Sequence, residues 1–339
     1  MFNKQLDQIS VSDIKPELLS VFRTDAWISA WNEIWEADLI ARQYKSNQNG
    51  YLFHLPLLKL FSLRTATPLG CGSRVLASIR SEYFQFPVDV NLNDWFKSEL
   101  GLGCHQFVIP DVDIESDTFK KLSEYANKYS FYLHARSGSL AYGVVTKRSS
   151  FADYLSVLGQ NSRARLFNRR KRLQELGKIK LRNMWPDVEG FIDLLNQFHQ
   201  DRWGKPCFQE NNLAFIKLFL QKLSEQGGQI NLSLMTLDEK PISVLLDVLY
   251  ARRVYNFQAG YIEKVAKNVA LGSLHLGYEI EAAFANPQID YYDFMAGQGK
   301  NTDYKAAFAT NTQKLADIYL TRHAWLHWLY QLNDRVKKS

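Results

Sequence analysis

The amino-acid sequence predicts a mixed α/β protein built as two units with mainly antiparallel sheets, and three observations carry that expectation. The runs INLSLMTL, ISVLLDVLY and VYNFQAGY, within residues 230–261, are separated only by DEKP and ARR; strands joined by turns that short must be antiparallel neighbours. Segments of helical period precede and follow this meander. A length of 339 residues with 46% apolar side chains suffices for two domains with real cores.

The first domain is expected over residues 1–148. Asp25 is placed to cap a helix in which Trp27, Trp31 and Trp35 recur at i, i+4 and i+8, so the three indoles share one face as a core stripe. Asn49-Gly50 reads as a two-residue hairpin turn, and the apolar run YLFHLPLLKLFSL after it as a strand. Beyond the turn-rich TATPLGCGS, the segments FQFPVDV and HQFVIPDV lead to a helix at 117–128 and then to FYLHARSGSLAYGVV.

The second domain is expected over 149–312. A basic amphipathic helix from Arg163 to Leu176, with Leu166, Leu173 and Leu176 apolar, stops at Gly177, which fits a left-handed C-terminal residue. The strand IKLRNMW, helices near 187–203 and 213–226, and the meander follow. A helix at 271–285 then places Leu276, Ile280 and Phe284 on one side, before the strand IDYYDFMA. Residues 313–339 are expected as a helical tail.

Charge and cysteine usage narrow the function. The net charge of +6 is concentrated in residues 163–182, RARLFNRRKRLQELGKIKLR, with nine Lys or Arg against the single Glu175. One basic patch on a near-neutral body suits a phosphate-bearing ligand as well as a polynucleotide. Cys71, Cys104 and Cys207 are odd in number and far apart, so they read as buried thiols rather than a disulfide framework or a metal knuckle. No apolar run reaches the ~18 residues needed to span a bilayer, and MFNKQLDQIS lacks the apolar stretch of a secretory signal, so no membrane insertion and a cytoplasmic location are expected.

Familiar catalytic patterns fail on their residues. His323 and His327 have zinc-helix spacing, but HAWLH lacks the glutamate of HExxH, and no metal is expected. Gly297-Gln298-Gly299-Lys300 is not a Walker loop: Phe294 takes the place of its leading glycine and Asn301 that of its Ser/Thr. Gly101-Leu102-Gly103 is a lone GxG, and there is no GxSxG elbow and no cysteine in a catalytic motif.

The segment VALGSLHLGYEIEAA, residues 269–283, carries the specific chemistry. A helix start concentrates unpaired N–H groups and partial positive charge, yet no acid occurs here before Glu279. Lys264 and Lys267 add charge in the preceding loop, and Gly272 and Ser273 leave the first-turn amides accessible. Such a start invites an external anion, and a diphosphate has the right size; the candidate contacts are Lys267, Ala270, Leu271, Gly272, Ser273 and Leu274. The plain alternative is that Ser273 caps an ordinary helix.

With this junction placed after the helices and the meander, the sequence resembles the Gcn5-related N-acetyltransferase fold, and more closely the CelD/BcsL-type acetyltransferase family, relatives of the FemAB peptidyl transferases that carry two such folds in tandem. The resemblance spans about residues 150–310 and rests on RARLFNRRKRLQELG, FHQDRWG, VALGSLHLGYEIEAA, YYDFMAG and DYKAAF. The junction reads KNVALGS, so Ala270 stands where the superfamily pattern has its first glycine.

The resemblance implies direct acyl transfer from acetyl-CoA or another acyl-CoA to an amine, with no enzyme nucleophile and no metal. It further implies a tandem architecture, and an acceptor such as an amino sugar or nucleotide-sugar precursor of a cell-surface polysaccharide; the first half is expected to be a degenerate copy, because nothing in it matches the bare-amide junction of the second. For proton transfer the candidates are Asp293 as base and Tyr304 or Lys305, with Tyr304 as acid toward sulfur. Against these stand a salt bridge or turn cap for Asp293 and a core ring for Tyr304. Arg202 and Trp203 are candidates for lining an acceptor pocket between the halves, with structural packing as the alternative for Trp203. Two other functions stay open: FemAB-like aminoacyl transfer from tRNA, and a non-catalytic acyl-CoA-fold binding protein.

Overall fold

The computed structural model describes residues 20–47, 49–57, 61–73, 75–87, 89–98, 103–297 and 300–338. The opening MFNKQLDQIS, Gly101 of the GxG pair and Gly299 of the glycine-lysine segment lie outside the described residues. In chain order the elements are α1 (Asp25–Ala41), β1 (Lys45–Ser46), β2 (Gly50–Leu57), β3 (Phe61–Pro68), α2 (Leu92–Lys97), β4 (Gln106–Asp113), α3 (Asp117–Lys128) and β5 (Tyr132–Val145). Then come α4 (Phe151–Val157), α5 (Gln160–Arg163), α6 (Arg170–Gln174), β6 (Ile179–Asn183), α7 (Val188–Trp203), α8 (Glu210–Glu225), β7 (Gln229–Leu237), β8 (Lys240–Tyr250) and β9 (Arg253–Tyr261). The last are α9 (Leu271–Ala285), β10 (Tyr291–Ala296), α10 (Lys300–Phe308), β11 (Asn311–Thr321) and α11 (Ala324–Lys338). The chain forms two compact units with interleaved segments: a first unit of Leu19–Leu140, Ala214–Lys222 and Gln313–Ser339, and a second that includes Ala141–Leu213 and Leu223–Thr312.

In the first unit β1, β2 and β3 are antiparallel, β3 pairs parallel with β4 at Thr65–Gln106 and Ala66–Phe107, and β4 pairs antiparallel with β11. Phe96, Phe107, Ile109, Leu122, Ile318 and Leu320 form its core. The tryptophan stripe is buried as expected, and Trp27 and Trp35 meet Phe215 of α8 at 4.8 and 5.1 Å. The cap is Thr24, whose side chain accepts from the Trp27 amide, so Asp25 is the first helical residue and faces the dipole from inside the first turn. A hairpin does close here, but Asn49-Gly50 is not its central pair: Gly50 is already the first residue of β2, its carbonyl accepts from the Asn47 amide, and Lys45–Ser46 pair with Tyr51–Leu52. The strand expected after it is two, β2 and β3, which pair antiparallel, and β3 absorbs TATP. The described residues of FQFPVDV form no strand; Pro87 has no amide to give a ladder, and Phe84 and Phe86 fill the core instead.

The second unit repeats the same plan of pairings. Strands β6 to β9 are antiparallel, β9 pairs parallel with β10, and β10 pairs antiparallel with Ala141–Val145 of β5. The two meander turns have positive φ at both central residues, Asp238 and Glu239 at 47° and 66°, Ala251 and Arg252 at 51° and 63°, the twist that tight hairpins require. On one face lies α9, where Leu276, Ile280 and Ala283 meet Leu245, Val254, Tyr292 and Phe294. Each such buried Leu or Ile contributes roughly 1.5–3 kcal/mol.

Three expectations change here. The basic helix is α5, a π-helical turn at Ala164–Asn168 and α6, because Leu166 is drawn onto α9 at Gly277, where an added Cβ would meet the Leu166 carbonyl. Gly177 follows it at φ 155°, outside the left-handed helical region. The tail begins as strand β11, which pairs with β4 and buries Leu315, Ala316, Ile318 and Leu320, and only α11 is helical. All three cysteines are free, but only Cys71 is buried; Cys104 and Cys207 are half-buried.

Candidate active site

The start of α9 is open. Its N-cap, Ala270, has φ −93° and ψ 82°, no side chain caps it, and the first turn holds no acid. The first intrahelical bond runs from the Leu274 amide to Ala270, and the amides of Leu271, Gly272 and Ser273 have no partner among the described residues. Leu271 and Leu274 fix this end in a core with Met235, Ile242, Val269 and Leu173. Gly272 has a packing reason of its own: a Cβ there would meet the Tyr261 ring. The counterpart in the first unit is closed, because Asn91 accepts from the Asn93 and Asp94 amides at the start of α2, which also holds Asp94.

Beside this start the sheet opens. The parallel register of β9 and β10 ends at Tyr255–Asp293, while β9 runs on to Tyr261 along β8. A bulge bends β10: its register on β5 shifts between Asp293 and Ala296, and Met295 has φ 64°. Two side chains hold both polar backbone atoms of that residue. Asp293 Oδ1 accepts from the Met295 amide at 2.8 Å, and Lys305 Nζ donates to the Met295 and Ala296 carbonyls at 3.1 Å each. Asp293 is fully buried, and its Oδ2 accepts from Arg253 Nη2 at 2.7 Å and Nε at 3.1 Å.

The end of α7 arrives at the same place from the other face. At Gly260 a Cβ would stand 3.0 Å from Leu195 and 3.1 Å from Phe198, so this glycine permits the close approach of α7 to β9. His199 Nε2 lies 3.1 Å from the Ala259 carbonyl. A carbonyl only accepts, so Nε2 carries the proton and Nδ1 is left as a lone-pair nitrogen. Burial pushes the His199 pKa below its usual value, the Ala259 bond opposes this, and Arg202 adds to it. Arg202 donates to Glu263 at 2.8 Å and lies over both the Trp203 and Tyr261 rings, at 4.5 and 4.6 Å. Trp203 is 58% exposed. The Tyr304 hydroxyl has no hydrogen-bond partner among the described residues, and burial, with Tyr261 nearby, pushes its pKa up to about 12.

A buried polar layer supports α9 from below. Ser233 Oγ donates to Glu279 at 2.6 Å, so it accepts from His275 Nε2 at 2.8 Å, while Ser243 meets His275 Nδ1 at 2.8 Å. On the next strands Asp247 accepts from Tyr292 Oη at 2.6 Å and Asn256 Nδ2 at 2.7 Å. Burial, reinforced by Glu279, holds the Asp247 carboxyl well above the usual carboxylate range.

The residues singled out from sequence fall into three groups. Tyr261 joins Gly272 to Arg202, which in turn lies over Trp203, and Tyr261 and Arg202 act on the Tyr304 hydroxyl. Lys267 is exposed in the loop before α9. Asp293 and Lys305 instead grip the bulge. In the basic segment, Arg170 is buried, pairs with Glu281 and stacks 3.7 Å from the Tyr278 ring, so it ties α6 to α9. Tyr261 and His199 went unread, although His199 stands inside FHQDRWG. The described residues hold no group of three His, Cys, Asp or Glu placed to share a metal.

Two compact units of one plan, with an open helix start beside parting strands in the second, define a tandem GNAT-type fold. Residues 160–306 match the acetyltransferase (GNAT) domain family. FemX superposes with a TM-score of 0.55 at 12% identity, over 93% of this chain and 98% of its own; at that identity the likeness is one of fold. L-PGS from Bacillus licheniformis gives a TM-score of 0.48 at 10% identity, over 90% and 95% of the two chains. A tandem GNAT protein from the clavulanic acid biosynthesis pathway gives 0.41 at 10%, over 88% and 96%. No curated protein sequence matches the chain.

Proposed function

We propose that this protein is an N-acyltransferase that takes its acyl group from an acyl-CoA, acetyl-CoA first among them, and passes it directly to an amine. One observation carries the reading: the uncapped start of α9, next to the point where β10 leaves β9, packs its Gly272 against Tyr261, the ring that also carries Arg202. Acyl-CoA supplies an activated thioester when bound. The amides of Leu271 to Leu274, with Lys267 nearby, would hold its diphosphate, and the backbone of β9 beyond Tyr255 would orient the acyl carbonyl.

His199 is the base in this reading. Its Nδ1 has a lone pair at neutral pH, its ring is oriented by the Ala259 carbonyl, and it takes the proton that the attacking ammonium must lose. Tyr304, protonated across the physiological range, returns a proton to sulfur. Asp293 is reassigned from base to positioning residue, because both of its oxygens are already engaged, one by the Arg253 guanidinium and the other by the Met295 amide. Lys305 has the same positioning role on the bulge. Trp203 offers a flat exposed face to an acceptor such as an amino sugar or nucleotide-sugar precursor of a polysaccharide, and Arg202 charge for a phosphate or carboxylate on it.

The test is a thermal melt with acetyl-CoA and with free CoA. A ligand at a hundred times its Kd stabilises by about 2.7 kcal/mol, so both should raise Tm. Absence of a shift with either at millimolar concentration refutes the reading. A second reading, aminoacyl transfer from tRNA, draws on the exposed Lys171, Arg172, Lys178 and Arg182 of the basic segment. It requires tRNA binding that weakens steeply with salt, whereas CoA binding alone would not.

A further inference from the structure

We propose that the first unit carries a docking face for an anionic lipid surface, made by α11 together with the basic strand ends beside it. The argument is independent of acyl transfer. Leu326, fully buried, anchors α11, and the Tyr330 hydroxyl donates to Gln106. This leaves Trp325 48% and Trp328 59% exposed, one turn apart on a held helix.

From Trp325 a run of basic side chains continues without interruption. The His323 ring is 6.1 Å from Trp325, and the His105 ring 5.7 Å from His323. His105 Nδ1 accepts from the Arg64 amide at 3.0 Å, and the exposed Arg64 guanidinium lies over Gly103, 3.3 Å from where a Cβ would stand. Arg322, also exposed, covers the Phe131 ring at 4.7 Å, and His54 is the cross-strand partner of Arg64. Burial lowers the His105 pKa, and the charges that lower it further, from Arg64, His323 and His54, are all cationic.

Some guanidinium groups of the chain find carboxylates, Arg80 with Asp111, Arg202 with Glu263, Arg252 with Asp290 and Arg253 with Asp293, and others, such as the exposed Arg172 and Arg182, have none among the described residues. Arg64 and Arg322 have none among the described residues. Cations left together at a surface call for an anionic partner from outside. The indoles choose which one. Two half-exposed tryptophans projecting from one helix surface, next to arginines, make the anchor of a protein lying in a membrane interface. No helix among the described residues is long and apolar enough to cross a membrane, so the attachment would be peripheral.

Co-flotation of the full chain with lipid vesicles tests this. Vesicles of phosphatidylcholine with about one third phosphatidylglycerol should carry the protein, and pure phosphatidylcholine should carry far less. Arg64→Gln and Arg322→Gln should each lower partition by about fivefold, and Trp328→Ser by about tenfold. Circular dichroism melts should stay unchanged, since all three side chains are exposed. Equal partition into neutral and anionic vesicles, or variants that match the parent, overturns the proposal. So does tighter binding of a single-stranded RNA oligonucleotide than of vesicles with the same losses in the variants, which would assign the face to nucleic acid.

Discussion

Replacing Ala270 with Asp should stabilise the protein and destroy its ligand site in one step. Ala270 is a half-buried N-cap with no capping side chain, and the amides of Gly272 and Ser273 that a cap would satisfy have no partner among the described residues. A capping carboxylate in place of Ala contributes about 1 kcal/mol. Its charge at the positive helix end adds roughly 0.3–1 kcal/mol. For a protein of this size the melting temperature should rise by about 2–3 °C. The same carboxylate would sit about 5 Å from a bound phosphate; with an effective dielectric constant near 20 the repulsion is about 3 kcal/mol, reduced to roughly 1–2 by the partial exposure of the site. Acetyl-CoA affinity should therefore fall by about five- to thirtyfold, before the loss of the amides themselves is counted. Thermal melts and isothermal titration read both effects. A stabilised variant that binds acetyl-CoA as the parent does refutes the seat at this helix start, and a destabilised variant refutes the open cap.

Three further predictions use other parts of the site. With His199 as base, kcat/KM should be flat above neutrality and fall with acid through a pKa below 6.5; His199→Gln should lower kcat by about 10²–10⁴-fold, leaving the thermal shift with CoA intact. A pH profile unchanged by the substitution removes His199 from the chemistry. Trp203→Ala should raise KM for the amine roughly tenfold with unchanged KM for acyl-CoA, and shift stability by no more than about 0.5 kcal/mol because the ring is exposed. Steady-state kinetics that show both KM values moving together contradict its assignment to the acceptor. Asp247 has a raised pKa in the folded state, so the fold favours its protonated form: this contribution is fully present near pH 4 and lost as pH rises through the raised value. Asp247→Asn should flatten the dependence of the urea midpoint on pH above about 4, and an unchanged profile would exclude Asp247 as its source.

Local chemistry was legible where it depends on neighbours in sequence. The turns DEKP and ARR fold as tight hairpins, the tryptophans of α1 point inward, and the start of α9 is as bare as its residues imply. Errors arose where a distant partner decides the outcome. β11 reads as part of a tail until β4, some 200 residues earlier, gives it a ladder. The basic helix breaks into three pieces because Gly277, over 100 positions later, admits Leu166.

The candidate site divides along the same line. Composition and spacing alone determine an uncapped, acid-free helix start after an antiparallel meander, because cap chemistry and turn length act over a few residues. Which side chains surround that start is decided by the parting of β9 from β10 and the approach of α7 through Gly260. Those place Tyr261 between Gly272 and Arg202 and aim His199 at Ala259. The same packing turns Asp293 from a free carboxylate into the buried partner of Arg253: an ionisable group takes its role from what folding brings within about 3 Å of it, and sequence distance carries no information about that.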